Sequence, residues 1–593
     1  MKMVFLITMK KSILTILVLA AVTRLLGQTV VIEEPILIVP SYRVYVAPVG
    51  NDANSGDSLS PLATFSMALD RLNTLSGSQT GDIYGEVVFY SGTYAQQINQ
   101  PYNKYVIGSK RLNVSVRGKG DVLFDGSAIT VSPGSGMIYL LGSNIHVKNV
   151  DINYSTDNGV RFGYNYSGIV VNSHDIWIDS VDVAMTAGHG ILVGIGALNA
   201  NGSSTLIPRA KRFNITNCHV HDAVNYNTPQ SQWGSAIKFW NTSHNLALNN
   251  HVHDNSGEGI DFDFCDTAEV RGNLLHDNYA NIYLDKMQYA HVHRNRIYNE
   301  TKVVSGILMG LEAFTVYVTD HYMKDIFIEN NIILNTLGIN LWQGIYSAIQ
   351  NGIYSNIQIR HNSIIGKQFG NGAQVSISHE TLLGQPVPNF TFINVSIDRN
   401  IVTANADSLN NNKLFSAPLN PQPGLSYGYN LLNMNPGFAF NAATDLIRNT
   451  LPVNLDPTTA LDQLTPNSTY YPDLVMSAPN TVSVSEDYFG LPRNNLNTNV
   501  GAVELNEGLG LNGMSQSSFY LSPNPCQDEF QVFYPNQMDI QYVLVTDVFG
   551  KQLMEFSSYE GEYISSSSFK PGKYFVTLGL SNGRRTVLPL VVL

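Results

Sequence analysis

The chain has 593 residues and a formal net charge of −12, with 44% hydrophobic and only 13% charged residues. A net negative charge opposes binding to a nucleic-acid backbone, so we exclude nucleic acid as a partner. Many small polar residues, among them 48 Gly, favour tight turns and stacked strands over helices. The length suggests several domains, but an internal repeat lets one domain extend further.

Residues 1–27 have the pattern of a secretory signal peptide, with Met1 or Met9 as the initiator. A basic start at Lys10 and Lys11 precedes an apolar run that is shorter than a typical transmembrane helix. We expect cleavage near Gly27 and a secreted or surface-attached monomer without a transmembrane segment.

The segment 43–94 predicts a strand, a helix and a second strand. Apolar residues with helical spacing follow Pro61, namely Leu62, Phe65, Met67, Ala68, Leu69 and Leu72. We expect this helix to cover the open end of a stack of coils, because an uncovered end exposes unpaired strand edges.

Two columns of apolar residues repeat in the centre of the chain, with steps of 23 and 22 residues from Ile237 to Ile282 and from Val252 to Ile297 and with longer steps on either side. The first column holds Val220, Val252, Leu275, Ile297, Ile333, Ile364 and Val402. The second holds Ile191, Ile237, Ile260, Ile282, Ile307, Ile339 and Val375. Two short strands per period, separated by Gly, Asn and Asp, predict the coils of a solenoid.

Asparagines stand two places before most residues of the first column, from Asn250 to Asn400. This recurrence predicts a ladder in which side-chain amides bond along the stack. Cys218 holds the equivalent place one coil earlier, where we expect a buried free thiol.

These columns resemble the right-handed parallel β-helix of pectate-lyase-like proteins, over roughly residues 41–505. The predicted fold is therefore all-β, with an N-terminal cap at 43–94, main coils at 140–404 and an irregular end at 405–505. Lyases, hydrolases, epimerases and adhesins all use this scaffold, so the resemblance leaves the chemistry open.

Side-chain alternation along the strands places candidate functional residues on the outer face. If Ile260 and Phe262 point inward, the residues between and after them point outward. Stacking then predicts one file of Lys238, Asp261 and Tyr283 and a neighbouring file of Trp240, Asp263 and Asp285, with Trp342 further along the second file.

Three carboxylates this close repel one another unless a cation or a shared proton intervenes. Hard oxygen ligands suit Ca²⁺, so Asp261, Asp263 and Asp285 are candidate metal ligands. The coils that carry them are shorter than the coils on either side. This difference predicts a cleft with the acidic patch on its floor.

Of the activities that the resemblance allows, a polysaccharide lyase-like one fits the predicted calcium site best, with calcium assisting β-elimination on a uronate-containing glycan. Lys238 would then be the base and Tyr283 the acid, with sugar contacts from Trp240, Trp342 and Lys286. In calcium-dependent lyases of this fold an Arg occupies the place that Asp261 holds here. Two alternatives stay open: a glycoside hydrolase that uses Asp261 and Asp263 as an inverting pair, and a non-catalytic glycan-binding adhesin.

Three His-Asp pairs end successive strands, at His221–Asp222, His253–Asp254 and His276–Asp277. Together with His251 they have the composition of a transition-metal site. The simpler interpretation is that the Asp residues form turns beneath stacked imidazoles.

A linker at 506–518 precedes a different C-terminal module at 519–593. Period-two alternation between turns predicts a small antiparallel β-sandwich. The module resembles the type A C-terminal sorting domain of the type IX secretion system of Bacteroidetes, through Pro523-Asn524-Pro525, Asp547 with Gly550, and Pro571-Gly572 with Tyr574. The resemblance implies that the type IX secretion machinery is a partner, although the chain ends in Val-Val-Leu and not in a basic residue.

Overall fold

A computed structural model provides the structure of the chain. It describes residues 32–36, 38–129, 136–154, 158–162, 174–194, 210–224, 234–302, 304–313, 322–345, 351–366, 374–380, 389–403, 414–416, 423–433, 445–447, 484–488, 490, 493, 500–503, 520–522, 526, 529–533, 540–547, 552–557, 559, 563–570, 572–580 and 585–592. The predicted signal peptide and linker lie outside these residues.

The described residues fall into two compact units, one that ends at residue 503 and one that begins at residue 520. The first unit is a parallel β-helix. One face is an 11-stranded parallel sheet, formed by Ile98–Asn99, Gly136–Leu140, Asn158–Phe162, Ile191–Gly194, Ser235–Trp240, Glu258–Asp263, Ile282–Asp285, Ile307–Ala313, Ile339–Ile345, Val375–Glu380 and Phe415–Ser416.

The rest of each coil belongs to a sheet that has 24 described strands and is parallel except where Val106–Ile107 meets its neighbour. Its strands are Tyr42–Val46, Gly81–Tyr94, Val106–Ile107, Lys110–Asp125, Ile145–Asn153, His174–Ala184, Ala210–Thr216, His219–His221, Thr242–Leu248, His251–His253, Asp266–Arg271, Leu274–His276, Gln288–His293, Arg296–Tyr298, Tyr322–Glu329, Ile332–Leu334, Asn351–Arg360, Ser363–Ile365, Asn389–Ile393, Val395–Asp398, Ile401–Thr403, Leu425–Gly428, Leu431–Leu432 and Leu446–Ile447.

Both predicted apolar columns are confirmed. The register pairs each member with the next, from Val220 through to Val402 and from Ile191 through to Val375. All of these side chains are buried in a single core that runs along the axis of the stack. A one-residue slip would turn every one of them outward, so the apolar columns fix the register.

The asparagine ladder is also confirmed and runs through Asn250, Asn273, Asn295, Asn331, Asn362, Asn400 and Asn430 to Asp445. Each side-chain amide donates to the next side-chain oxygen, at 2.9 to 3.3 Å. The same oxygen accepts the backbone N–H of the preceding coil. The ladder therefore satisfies buried polar groups at a corner where the strands break. The ladder begins at Cys218, which has a buried free thiol and whose backbone N–H donates to Oδ1 of Asn250 at 3.0 Å.

The N-terminal helix spans Phe65–Leu75, and a second, short helix spans Tyr102–Tyr105. The Thr64 hydroxyl caps the first helix by accepting the N–H of Met67 at 3.2 Å. Phe65 packs against Phe89 of the first coils, with ring centroids 6.3 Å apart. The predicted apolar face of this helix is thus buried. No helix among the described residues is long and apolar enough to cross a membrane.

The irregular end is described only in part. Short strands from Leu425 to Ile447 continue the stack. The described residues between 484 and 503 lie along the side of earlier coils, where Arg493 donates to Asn330 at 2.6 Å and the N–H of Ala502 donates to Ser363 at 3.0 Å.

The second unit has two antiparallel sheets with their own apolar core. One sheet contains Tyr520–Ser522, Glu529–Phe533 and Ile564–Ser565, and the other contains Ile540–Asp547, Gln552–Phe556, Gly572–Leu580 and Arg585–Val592. The antiparallel pairing agrees with the module predicted from the sequence.

Candidate active site

The two predicted files of outward residues exist in the predicted register. Lys238 pairs with Asp261, which pairs with Tyr283. In the neighbouring file Trp240, Asp263 and Asp285 follow one another, and Gly310 separates them from Trp342. The 11-stranded sheet therefore brings the candidate residues onto consecutive coils.

Lys238 lies between two carboxylates. Its Nζ is 2.7 Å from Oδ2 of Asp261 and 3.3 Å from Oδ2 of Asp263. The side chain of Asp261 is only 2% exposed and that of Lys238 11%, whereas Asp263 is 19% exposed. The lysine thus relieves the repulsion that the sequence predicted here, and Asp263 is the member of this trio that is most open to solvent.

The distance between Asp261 and Asp263 can be compared with that of the inverting pair predicted from the sequence. Because one nitrogen contacts both, their Oδ2 atoms are no further apart than 6.0 Å, the sum of the two distances. Inverting glycosidases hold their carboxyl groups roughly 6.5–9.5 Å apart to leave room for water. The bound concerns the two Oδ2 atoms alone, and the ammonium group of Lys238 contacts both of them, where an inverting pair would hold water.

Two further residues complete the cluster, and the sequence analysis missed both. The hydroxyl of Ser235 donates to Oδ2 of Asp261 at 2.8 Å and lies 3.3 Å from Oε2 of Glu258. Strict alternation along the strands predicts that the side chains of Ser235 and Glu258 point inward, as those of Ile237 and Ile260 do. Ser235 and Glu258 stand at the first residue of their strands, where the chain leaves a corner and alternation no longer fixes the side-chain direction. We name Ser235, Lys238, Glu258, Asp261 and Asp263 the acidic cluster.

Burial and charge shift the pKa values within the acidic cluster in different directions. Burial, reinforced by the Asp261 charge, raises the pKa of Glu258 to about 8. Burial also raises the pKa of Asp261, and Lys238 opposes this effect. Burial alone would lower the pKa of Lys238, but attraction by Asp261 and Asp263 outweighs it and raises that pKa. Lys238 is therefore held as an ammonium ion, which does not suit the role of general base given to it above.

Three buried polar atoms at this site have no hydrogen-bond partner among the described residues. They are Oδ1 of Asp261, Oδ1 of Asp263 and Nε1 of Trp240. Buried polar atoms are nearly always satisfied in folded proteins, so such atoms call for a ligand, an ion or water. Free carboxylate oxygens on neighbouring residues suit a hard cation such as Ca²⁺.

Three other candidate residues, Tyr283, Asp285 and Lys286, are buried. Tyr283 is buried and leans toward the following coil, where a Cβ atom on Gly310 would lie 2.5 Å from its hydroxyl oxygen. Lys286 is buried with its Nζ 4.5 Å from the ring centroid of Phe264.

Both candidate tryptophans are partly exposed. The Trp240 ring centroid lies 6.0 Å from Nζ of Lys238. The long coils expected to form the cleft walls are 191–220, 307–333 and 339–364, and their segments 195–209, 314–321 and 346–350 lie outside the described residues.

A match to a family model agrees with the fold. Residues 194–413 match the protein family described as "Right handed beta helix region". No match to a curated protein was found. Among solved structures, the chain is similar to the A-module of the Azotobacter vinelandii mannuronan C-5 epimerase AlgE4, with 14% identity and a TM-score of 0.42 over 64% of this chain and 93% of that one.

Two other solved structures are similar to the chain. The pectate lyase Pel9A has 15% identity and a TM-score of 0.38 over 79% of this chain and 98% of that one. PfbA, a surface adhesin of Streptococcus pneumoniae, has 14% identity and a TM-score of 0.33 over 55% and 86%. At these identities and TM-scores none of the three structures indicates a reaction for this chain, so the reaction has to be argued from the side chains.

The pKa of Glu258 predicts a pH-dependent stability. Its folded-state pKa, about 8, lies above the ordinary value of 4.5, so the folded protein binds this proton more tightly than the unfolded chain does. The contribution of the protonated Glu258 to the free energy of unfolding is fully present below about pH 4.5 and is lost as the pH rises through about 8. Glu258→Gln keeps the uncharged form, so above about pH 8 it should be more stable than the wild type, by an amount on the order of a few kcal/mol.

Chemical denaturation between about pH 4 and about pH 9 measures this difference. The exposed carboxyl of Glu300 provides the control, since Glu300→Gln should follow the wild-type pH profile. Parallel profiles for the wild type and Glu258→Gln would contradict the assignment.

Proposed function

We propose that the protein is an exported carbohydrate-active enzyme that cleaves a glycan, and that the acidic cluster is its reaction centre. The observation that carries this proposal is that the carboxyl groups of the cluster have different surroundings and different charge states. One carboxyl, Glu258, has a pKa of about 8, while Asp261 and Asp263 contact the ammonium group of Lys238. Acid and base roles are typically assigned to neighbouring carboxyl groups whose surroundings differ in this way.

The surroundings of each group suggest its role. Glu258 carries a proton at neutral pH and is the proposed donor to the leaving oxygen. Asp263 is the most exposed carboxylate of the cluster and has an unpaired oxygen, so it is the proposed base or nucleophile. Lys238 positions Asp261 and Asp263, and the partly exposed ring of Trp240 is available to stack on a sugar. These roles favour hydrolysis of a glycosidic bond.

The second candidate is the calcium-assisted lyase of a uronate-containing glycan. The unpaired Oδ1 atoms of Asp261 and Asp263 favour it. With Asp285 these residues would hold Ca²⁺, which would neutralise the uronate carboxylate and acidify the neighbouring C–H. Asp263, and not Lys238, would then take the proton, because Lys238 is already protonated. Tyr283 and Lys286 keep their predicted roles only in this second scheme.

An activity assay distinguishes these candidates. We expect the wild type to degrade a member of a panel of uronate and neutral polysaccharides, assayed with and without calcium. Hydrolysis releases reducing ends alone, whereas elimination also gives an unsaturated product that absorbs in the ultraviolet. Glu258→Gln and Asp263→Asn should each lower the rate by roughly 10²–10⁴-fold, with Glu300→Gln as the unaffected control.

Full activity in both cluster variants would place the reaction elsewhere. A wild type that binds a glycan of the panel and degrades none of them would favour the non-catalytic adhesin.

We propose further that the C-terminal unit directs export by the type IX secretion machinery. Support comes from its resemblance to the sorting domain and from its separate core, which includes Cys526, Phe530 and Tyr574.

Removal of residues 519–593 should block release or surface attachment in a host that has this machinery. The purified remainder should melt as the full chain's first unit does, because the apolar cores of the two units are separate. Normal export of the truncated protein would contradict the sorting role, and loss of its cooperative melting would show that the unit belongs to the fold.

A further inference from the structure

A stripe of histidines crosses three consecutive coils on the larger sheet, apart from the strands of the acidic cluster. The register pairs His219 with His251, and it pairs His221, His253 and His276 in succession. All five rings are partly exposed. Their centroids lie 4.4 to 5.4 Å from those of their neighbours, and the ring of Tyr298 stacks on the last one at 4.5 Å. We name these five residues the histidine stripe.

Carboxylates orient four of the five rings through Nδ1. The partners of His219, His221, His253 and His276 are Asp182, Asp222, Asp254 and Asp277, at 2.7, 2.8, 2.7 and 3.1 Å. An ionised carboxylate only accepts hydrogen bonds, so each of these Nδ1 atoms carries the hydrogen. In the neutral ring Nε2 then has a free lone pair, which is the arrangement found behind metal-binding histidines.

Nε2 of His221 lies 3.5 Å from Oδ1 of Asp182, whereas the other four Nε2 atoms of the stripe face one another in pairs. Those of His219 and His253 are 2.8 Å apart, and those of His251 and His276 are 3.2 Å apart. Two nitrogen lone pairs at such distances repel unless a proton or a metal ion lies between them. Zinc binds imidazole nitrogen at about 2.0–2.1 Å, so two ligands of a tetrahedral ion are roughly 3.3 Å apart. The ligand atoms of His219, His251 and His253 all lie within 4.8 Å of one another.

We propose that the histidine stripe binds a divalent transition metal ion, Zn²⁺, through His219, His251 and His253. Imidazole nitrogen suits this ion, whereas Ca²⁺ requires oxygen ligands. His276 lies beside this set as a further ligand, and the carboxylates of Asp182 and Asp254 hold two of the three rings in place. Metal binding by these histidines does not require the proposed glycan cleavage, because the stripe and the acidic cluster share no residue and lie on strands of different sheets.

The test uses the full chain without a purification tag, freed of metal with a chelator. Calorimetric titration with ZnCl₂ should show saturable binding with about one ion per chain, and zinc should raise the melting temperature, since a ligand that binds only the folded state stabilises it. CaCl₂ should leave zinc binding unchanged. His219→Gln and His251→Gln should each weaken zinc binding at least about tenfold.

His291→Gln is the matched control. His291 also stacks on a neighbouring imidazole, that of His293, with centroids 3.8 Å apart, but its Nε2 contacts Glu329 at 3.0 Å. Its loss should not change zinc binding. A wild type that does not bind zinc, or stripe variants that bind it as the wild type does, would overturn the proposal.

A measurement on the wild type covers the case in which a stripe variant fails to fold. X-ray absorption of the zinc-loaded chain should show at least two imidazole nitrogens at about 2.0–2.1 Å. A shell of oxygen atoms without imidazole scattering would overturn the proposal and leave shared protons as the link between the facing nitrogens.

Discussion

From Ile191 to Val402 neighbouring coils pair in one register, and both functional surfaces of the β-helix depend on it. Parallel pairing holds each residue next to its equivalent on the adjacent coil, about 4.8 Å away. The buried columns that contain Ile260 and Leu275 set that register, because a slip would expose them. The asparagine ladder supports it at the corner, where buried amides bond from coil to coil.

The same register that builds the core also creates the functional surfaces. Residues one coil apart become neighbours, whether 23 positions separate them, as for Lys238 and Asp261, or 32, as for His219 and His251. A charged side chain on one coil therefore lies next to the side chain at the same position of the adjacent coil. Lys238 thereby meets Asp261, and His253 meets His276. On one sheet this proximity yields the acidic cluster and on the other the histidine stripe. In the acidic cluster burial then changes the acidity of the carboxyl groups, since it raises the pKa of Glu258 to about 8.

Much of this arrangement could be predicted from the sequence, because a solenoid converts sequence spacing directly into distance. The two apolar columns, the asparagine ladder and the files that contain Lys238 and Asp263 all follow from counting residues. Ser235 and Glu258 were missed because alternation fails at a corner. The protonation of Lys238 could not be predicted either, since it depends on a balance between burial and two carboxylates that spacing does not reveal. Sugar, linkage and cleft walls depend on loops that the repeat does not constrain.

A double-mutant cycle between Lys238 and Asp261 tests most directly whether the register brings these distant residues together. Lys238→Met, Asp261→Asn and the double variant would be compared with the wild type by their free energies of unfolding. Contact at 2.7 Å in a buried cluster predicts a coupling energy of at least about 1 kcal/mol, because either single change leaves the remaining partner poorly compensated. Effects that add to within about 0.5 kcal/mol would show that the two side chains do not interact and would contradict the register.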